Sequence, residues 1–339
     1  MVSADIEQQE WDDFVESHPD ATGYHLWRWR TIFSGVFGHT CEYLALREGG
    51  TVTGILPLVI LDSWLFGRFG VSLPFVNYGG VLATSQAAAD ALVAGASASA
   101  IARGLTHLEF RHRRRHCPTL PAKQHKVAMR LPLASSPEEM WTALDRKVRN
   151  QIRKAEKNGL GVQIGGPELL ADFYVVFARN MRDLGTPVYP QKLFSAVLQQ
   201  FSKHTRVFVV RKGAQPIGAA ISYAFHDVLE VPWASALKEY LPLCPNNLLY
   251  WSVIQYSISH GFRTFDFGRS TPNEGTFHFK RQWGAEPSPL YWEYRLLSRT
   301  TVLDQSPKNP KLRAAIEAWK RLPLPLANRL GPPIVRGIP

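Results

Sequence analysis

The segment from Phe265 to Tyr294 reads FDFGRSTPNEGTFHFKRQWGAEPSPLYWEY and gathers groups able to handle charge around a Gly-rich loop. Asp266, Gly268, Arg269, Ser270, Asn273, Gly275, Lys280, Trp283 and Gly284 fall in and just after a predicted strand end, where loops build sites on a rigid scaffold. Core packing accounts for Phe265, Phe267, Phe277 and Trp283, and turns account for the glycines. It accounts poorly for Arg269 and Lys280 flanking the loop. A second concentration is the run DRKVRNQIRKAEKNG, in which Arg146, Arg149, Arg153, Lys154 and Lys157 share one helical face. Arg forks match phosphate oxygens, so that face suits a phosphate-bearing ligand; a solvated surface is the alternative.

Other chemistries find no support. There is no GxSxG elbow, HExxH helix or GxxxxGK[ST] loop. His204, His226 and His278 fall on separate elements with no ligand spacing, so no metal is expected. Cys41, Cys117 and Cys244 are odd in number and lack a CxxC pair, which points to reduced thiols and a cytoplasmic setting. The opening MVSADIEQQEWDD is acidic without an apolar run, so no secretory signal is expected. The 39 Lys+Arg against 28 Asp+Glu give a net charge of +11. That balance suits an anionic partner such as RNA, phosphorylated lipid or a nucleotide-linked substrate, and equally a soluble chain whose copies repel.

The elements that position these residues occur twice. Tyr43 to Ile60 reads YLALREGGTVTGILPLVI and Val207 to Ala224 reads VFVVRKGAQPIGAAISYA. Superposed, Arg47 falls on Arg211, Gly49 on Gly213 and Gly54 on Gly218, so each copy predicts a strand, a tight Gly turn and a strand. Each is later followed by a helix that stops at a Gly and feeds a short strand bearing one carboxylate. These are GLTHLEF from Gly104 and GFRTFDF from Gly261, which makes Glu109 and Asp266 equivalent.

The first copy reads as helices within residues 5–40, the hairpin, a third strand through Val71–Val81, an Ala-rich helix from Gln86 to Ala102, and a closing strand Val127–Leu133. The second opens with one helix from the Ser136 cap to Gly159. Two further helices follow around the loop RDLGTPVYP, then a meander over Arg206–Leu237, a helix and the Asp266 strand. Domains of residues 1–133 and 134–297 are expected, with residues 298–339 as a tail. That tail is basic and proline-punctuated, able to pack on its own domain or lie on an anionic membrane.

A helix, a three-strand meander, a helix ending in Gly and then a strand, present twice, resembles two tandem GNAT-like domains, the α/β acyl-CoA N-acyltransferase fold. The runs DFGRS and FKRQWG, together with RKVRNQIRKAEKNGLGV and RDLGTPVYP, resemble FemAB-type proteins, including the branch found beside exopolysaccharide and exosortase loci. The likeness covers most of residues 5–297. It implies an acyltransferase or aminoacyltransferase, cytoplasmic or peripheral at the inner membrane, that moves an acyl group to an amine of a peptidoglycan-like or exopolysaccharide precursor. The donor is aminoacyl-tRNA, or an acyl-CoA or acyl carrier, and the acceptor is an anionic lipid- or nucleotide-linked precursor.

In the family motif FK-x-x-(W/F)-G the lysine stabilises a developing oxyanion. Carried over, it is Lys280, with Phe279 beside it. Asp266 is placed to accept a proton from the amine or to orient Arg269, and Glu109 at the equivalent position argues equally for a structural role. Arg149 and Arg153 become phosphate contacts, Arg182 and Tyr189 shape the acceptor pocket, and Arg269 and Ser270 complete the substrate-binding set. Two departures from the family stand out. The long coiled-coil arm of some Fem enzymes is missing, and so is the Arg/Gln-x-x-Gly-x-Gly/Ala loop that cradles CoA phosphates in ordinary GNAT enzymes. A non-catalytic module binding anionic lipid, polysaccharide or RNA is the rival from another class.

Overall fold

The duplicated hairpin carries the same irregularity in both copies. The ladder of Thr40–Glu48 with Thr51–Ser63 shifts register between Leu46 and Arg47, and that of Thr205–Lys212 with Gln215–Phe225 shifts between Val210 and Arg211. In each, the arginine after the shift pairs with a carboxylate on a helix, Arg47 with Glu10 and Arg211 with Asp172. Gly49 and Gly213, both at φ +59°, turn the two hairpins, a conformation glycine adopts without steric cost.

The computed structural model describes residues 1–64, 66–298, 301 and 310–338. Two compact units emerge. The first begins with β1 (Val2–Ser3), α1 (Gln8–Ser17), α2 (Arg28–Phe37), β2 (Thr40–Glu48), β3 (Thr51–Ser63), β4 (Gly67–Val71), β5 (Leu82–Ala83), α3 (Gln86–Ala102), β6 (His107–His112) and β7 (Ala122–Lys123). The second holds β8 (Val127–Pro132), α4 (Pro137–Ala143), α5 (Arg146–Lys157), β9 (Leu160–Gly165), α6 (Leu170–Leu184), α7 (Gln191–Gln200), β10 (Thr205–Lys212), β11 (Gln215–Phe225), β12 (Val228–Ala236), α8 (Pro245–Ser259), β13 (Thr264–Ser270), α9 (Gly275–Arg281) and β14 (Glu286–Pro289). β15 (Tyr291–Leu296), α10 (Pro310–Lys320) and α11 (Leu324–Val335) complete the chain.

Sheet one runs β1-β2-β3-β4-β6-β15-β7 with β5 on β3, and sheet two runs β14-β8-β13-β12-β11-β10-β9. Two strands depart from the linear expectation. β8 does not close the first domain: Met129 and Leu131 alternate inward into the second core beside Phe265 and Trp283, and the strand pairs with β13. β15, expected in the second domain, pairs with β6 and buries Glu293 and Tyr294 in the first. The boundaries at 133 and 297 therefore shift, and the units comprise Met1–Lys126, Pro289–Gln305 and Pro333–Pro339, and Val127–Ser288 with Ser306–Pro332.

Two further expectations change. The single helix predicted from Ser136 to Gly159 breaks at Leu144 (ψ 144°), because Ser136 caps α4 and Asp145 separately caps α5 by accepting the Lys147 amide. The strand predicted over Val71–Val81 ends at Val71, and a loop with left-handed Leu73 and Phe75 follows. Val148, Ile152 and Ala155 of α5 and Leu249, Val253 and Ile254 of α8 fill one face of sheet two. Each of the fully buried Val, Ile and Leu side chains among them contributes about 1.5–3 kcal/mol. The tail residues before Pro310 that were expected to begin a basic segment lie outside the described residues; beyond them, Ile316 packs on Gly185 and Gly331 on Val188 in the second unit.

Candidate active site

The two units differ where their parallel strands meet. In sheet two, β12 pairs with β13 only from Val228 to Glu230 against Thr264 to Asp266, although both strands continue. In sheet one, β4 pairs with β6 at Gly70 and Val71. There the loop after β4 takes over: Ser72 N–H donates to the Glu109 carbonyl (2.9 Å), Arg111 N–H to Ser72 Oγ (2.8 Å) and Gly79 N–H to the Arg111 carbonyl (3.2 Å). The register places Asp266 and Glu109 at the last paired position of their respective strands, as the repeat requires.

Beyond Asp266 the β13 backbone is reorganised. Asp266 is 2% exposed, and its Oδ1 accepts the Gly268 amide at 2.7 Å, folding the side chain back on its own strand. Gly268 takes φ +71°, and the pairing of β13 with β8 shifts register between Asp266 and Arg269. Neighbouring carbonyls of a regular strand point to opposite edges. Here the irregularity turns both the Gly268 and Arg269 carbonyls toward one cation, the Lys280 ammonium, which donates to them at 3.3 and 2.8 Å. Lys280 is buried on α9 at 7% exposure, so the solvated alternative for this lysine is set aside. Asp266 thus shapes the turn that the lysine reads.

Around this pair stand the other residues of the loop. Arg269 is half-buried. Ser270 is buried and its Oγ has no hydrogen-bond partner among the described residues. Phe279 lies 5.5 Å from the Tyr250 ring and 6.2 Å from that of Trp283. Three residues escape motif reading. Arg130 on β8 lies across from Asp266 with its Nε 3.8 Å from Oδ2, and Glu230 on β12 is the parallel register neighbour of Asp266. Tyr250 on α8 has its phenol held protonated by burial. Only sheet register could have revealed the first two, and Tyr250 sits in the apolar run LLYW of α8, which reads as core.

The remaining predicted residues have other contacts. On α5, Arg149 is half-buried with an enclosed Nε lacking a partner, and Arg153 stacks its guanidinium 5.3 Å from the Trp141 ring. In the first unit the basic run from Arg111 to His116 is engaged: Arg111 pairs with Glu109, Arg114 with Asp20 and His112 with Glu293. Arg182 donates through Nε to Asp183 (2.6 Å) and through Nη1 to the Leu322 carbonyl of the tail (3.0 Å). Tyr189 stacks among Phe177 and Phe194, its carbonyl accepting the Tyr174 hydroxyl. Among the described residues no group of three or more His, Cys, Asp or Glu is arranged to hold a metal, and no helix is long and apolar enough to cross a membrane.

Residues 143–281, from the end of α4 to the end of α9, match the acetyltransferase (GNAT) domain family. The second unit carries a GNAT domain. Solved structures extend the fold likeness to most of the chain. FemX is 15% identical with a TM-score of 0.67, covering 88% of this chain and 98% of its own. The C-terminal domain of a putative lysylphosphatidylglycerol synthetase from Agrobacterium fabrum is 13% identical (TM-score 0.58), covering 93% of this chain and 95% of its own. A tandem GNAT protein from the clavulanic acid biosynthesis pathway is 12% identical (TM-score 0.54), covering 89% and 100%. At such identities the likeness carries the fold. No curated protein matches the sequence. The chain is an acyltransferase of GNAT fold.

Proposed function

We propose that this GNAT-fold acyltransferase moves an aminoacyl or acyl group onto an amine of an anionic cell-envelope or exopolysaccharide precursor, at the end of β13. The observation that carries this reading is the Lys280 ammonium, buried and held at the carbonyls of Gly268 and Arg269. In the reaction the acceptor amine attacks the carbonyl carbon of the donor ester or thioester. A C–N bond forms, the C–O or C–S bond breaks, and the amine proton leaves with the departing oxygen or sulfur. Lys280 stabilises the oxyanion of the tetrahedral intermediate, which a cation fixed in a partly dry site does better than water.

Asp266 holds the bulge that aims the lysine, and Phe279 packs against Tyr250 beside it. Arg149 and Arg153 offer charge to the phosphates of donor or acceptor, and Arg269 and Ser270 face the substrate. Aminoacyl-tRNA is the favoured donor, since the Gly-rich cradle for CoA phosphates is missing from the sequence.

The test is transfer of labelled amino acids from a charged-tRNA mixture to lipid-extractable or nucleotide-linked precursors, beside acyl-CoA donors. Lys280→Ala is expected to lower the rate by about 10²–10³ while preserving the circular dichroism spectrum. Transfer from acyl-CoA alone would overturn the donor assignment. Transfer that Lys280→Ala leaves unchanged would overturn the site.

A further inference from the structure

Helix α11 is turned the unusual way round. A helix packed on a core directs its large apolar side chains inward. Here Ala327, Gly331 and Val335 form the buried stripe, and Gly331 lies against the Val188 backbone. Leu326 and Leu330 are instead 47% and 45% exposed, and Arg329 and Pro333 are exposed with them. These four occupy positions i, i+3, i+4 and i+7, which is one face of a helix. From Ala318 to Pro339 the sequence holds Lys320, Arg321, Arg329 and Arg336 and no Asp or Glu. A second irregularity lies where the tail ends. Ser63 and Gly67 close the hairpin of β3 and β4, and the intervening sequence is WLF, where turns ordinarily carry Gly, Asn, Asp or Ser. Trp64 is 85% exposed there. Gly337, two residues beyond α11, packs on Ser63: a Cβ on it would lie 3.2 Å from Ser63 Oγ.

We infer that the outward face of α11, with Trp64 beside the end of the tail, docks the protein on an anionic phospholipid bilayer. Leucine and arginine share that face, so Leu326 and Leu330 reach the acyl boundary while Arg329, and Arg336 just past the helix end, bend their charged heads back to lipid phosphates. An indole at the same depth sets its ring among the chains and its N–H among the headgroups. Other occupants fit this chemistry less well. A second copy of the chain would set its own Arg329 and Arg336 against these, like charge on like. An RNA would pair with the arginines and leave both leucines and Trp64 in water. The surface needs neither Lys280 nor turnover, and it places the molecule at a membrane whichever donor the transferase uses.

The test is flotation of the full chain with vesicles of phosphatidylcholine alone and of phosphatidylcholine mixed with phosphatidylglycerol, beside sedimentation velocity of the free protein. The chain is expected to float with the mixed vesicles and to stay behind with phosphatidylcholine alone. Leu326→Ser combined with Leu330→Ser should lower the partition coefficient on mixed vesicles by about tenfold or more, and Trp64→Ser by about tenfold. Arg329→Ala should lower it by about fivefold, the worth of one cation near an anionic surface. Ile101→Ser, which removes an exposed apolar side chain on α3, should leave it unchanged. All of these side chains are exposed, so each variant should keep the parental circular dichroism spectrum. Flotation with mixed vesicles that survives both the leucine pair and Trp64→Ser would overturn the docking face and assign the affinity to the overall charge of +11. Equal flotation with both kinds of vesicle, no flotation at all, or a dimer in sedimentation that Leu326→Ser dissociates would overturn it as well.

Discussion

Asp266 donates nothing to solvent and accepts the Gly268 amide, which makes it the residue that keeps the β13 bulge open to Lys280. The two ways of removing its charge should therefore differ. Asp266→Asn keeps an oxygen acceptor for the amide, whereas Asp266→Ala leaves that buried N–H without one, at a cost of about 1–3 kcal/mol. Urea denaturation is expected to place the Asn variant near the parent and the Ala variant lower by that amount. Equal stability of the two would refute the positioning role. Lys280 and Phe279 were legible in sequence because FKRQWG is a contiguous motif. Arg130 and Glu230 were not, since they reach Asp266 from strands joined to it only by register.

At the scale of elements, the tail acts as a strap on the loop between α6 and α7. The Gly185 α-carbon admits Ile316, and a Cβ there would approach Ile316 Cγ2 to 2.5 Å. Gly331 admits the loop in turn: a Cβ would meet the Val188 amide nitrogen at 2.8 Å and its carbonyl oxygen at 3.0 Å. Backbone atoms cannot swing aside as side chains can, and forced overpacking costs about 1–3 kcal/mol. Gly331→Ala is therefore expected to speed hydrogen exchange of the amides at 186–189 by about tenfold, with the amides of β10 and β11 unchanged. Exchange at the parental rate in the loop would show that the tail does not hold it. The RDLGTPVYP loop was legible as a loop. Its docking partner was not, because a glycine that receives a backbone looks like any turn glycine until both sides are seen.

Across the whole molecule the repeat was legible down to the arginine after each hairpin bulge, because the Arg–Gly–Gly spacing survives in both copies. The asymmetry was hidden. Val71 to Val81 is apolar enough to read as a strand, yet Leu73 (φ 65°) and Phe75 (φ 69°) adopt the left-handed region and the segment runs as a loop beside β6. A left-handed non-glycine residue costs about 1–2 kcal/mol. The burial of Leu73 and Phe75 in the first core offsets it.

The first unit also carries its own acid sensitivity. His25, His39 and His116 are buried there at 2, 6 and 9% exposure. Burial lowers the His25 imidazole to about 3 and those of His39 and His116 to about 4. Arg336 adds to the effect at His39, and His112 and Arg114 add to it at His116. All three are neutral in the folded state at neutral pH, whereas an unfolded histidine titrates near 6.5. Below about pH 6.5 the unfolded chain thus binds more protons than the folded one, so stability that is complete above that pH is lost progressively toward pH 4. Urea midpoints followed from pH 8 to 4.5 are expected to hold steady down to about 6.5 and then fall. His39→Gln and His116→Gln should each make that fall shallower. A midpoint that stays flat to pH 4.5 in the parent chain would mean that these imidazoles are charged in the folded first unit.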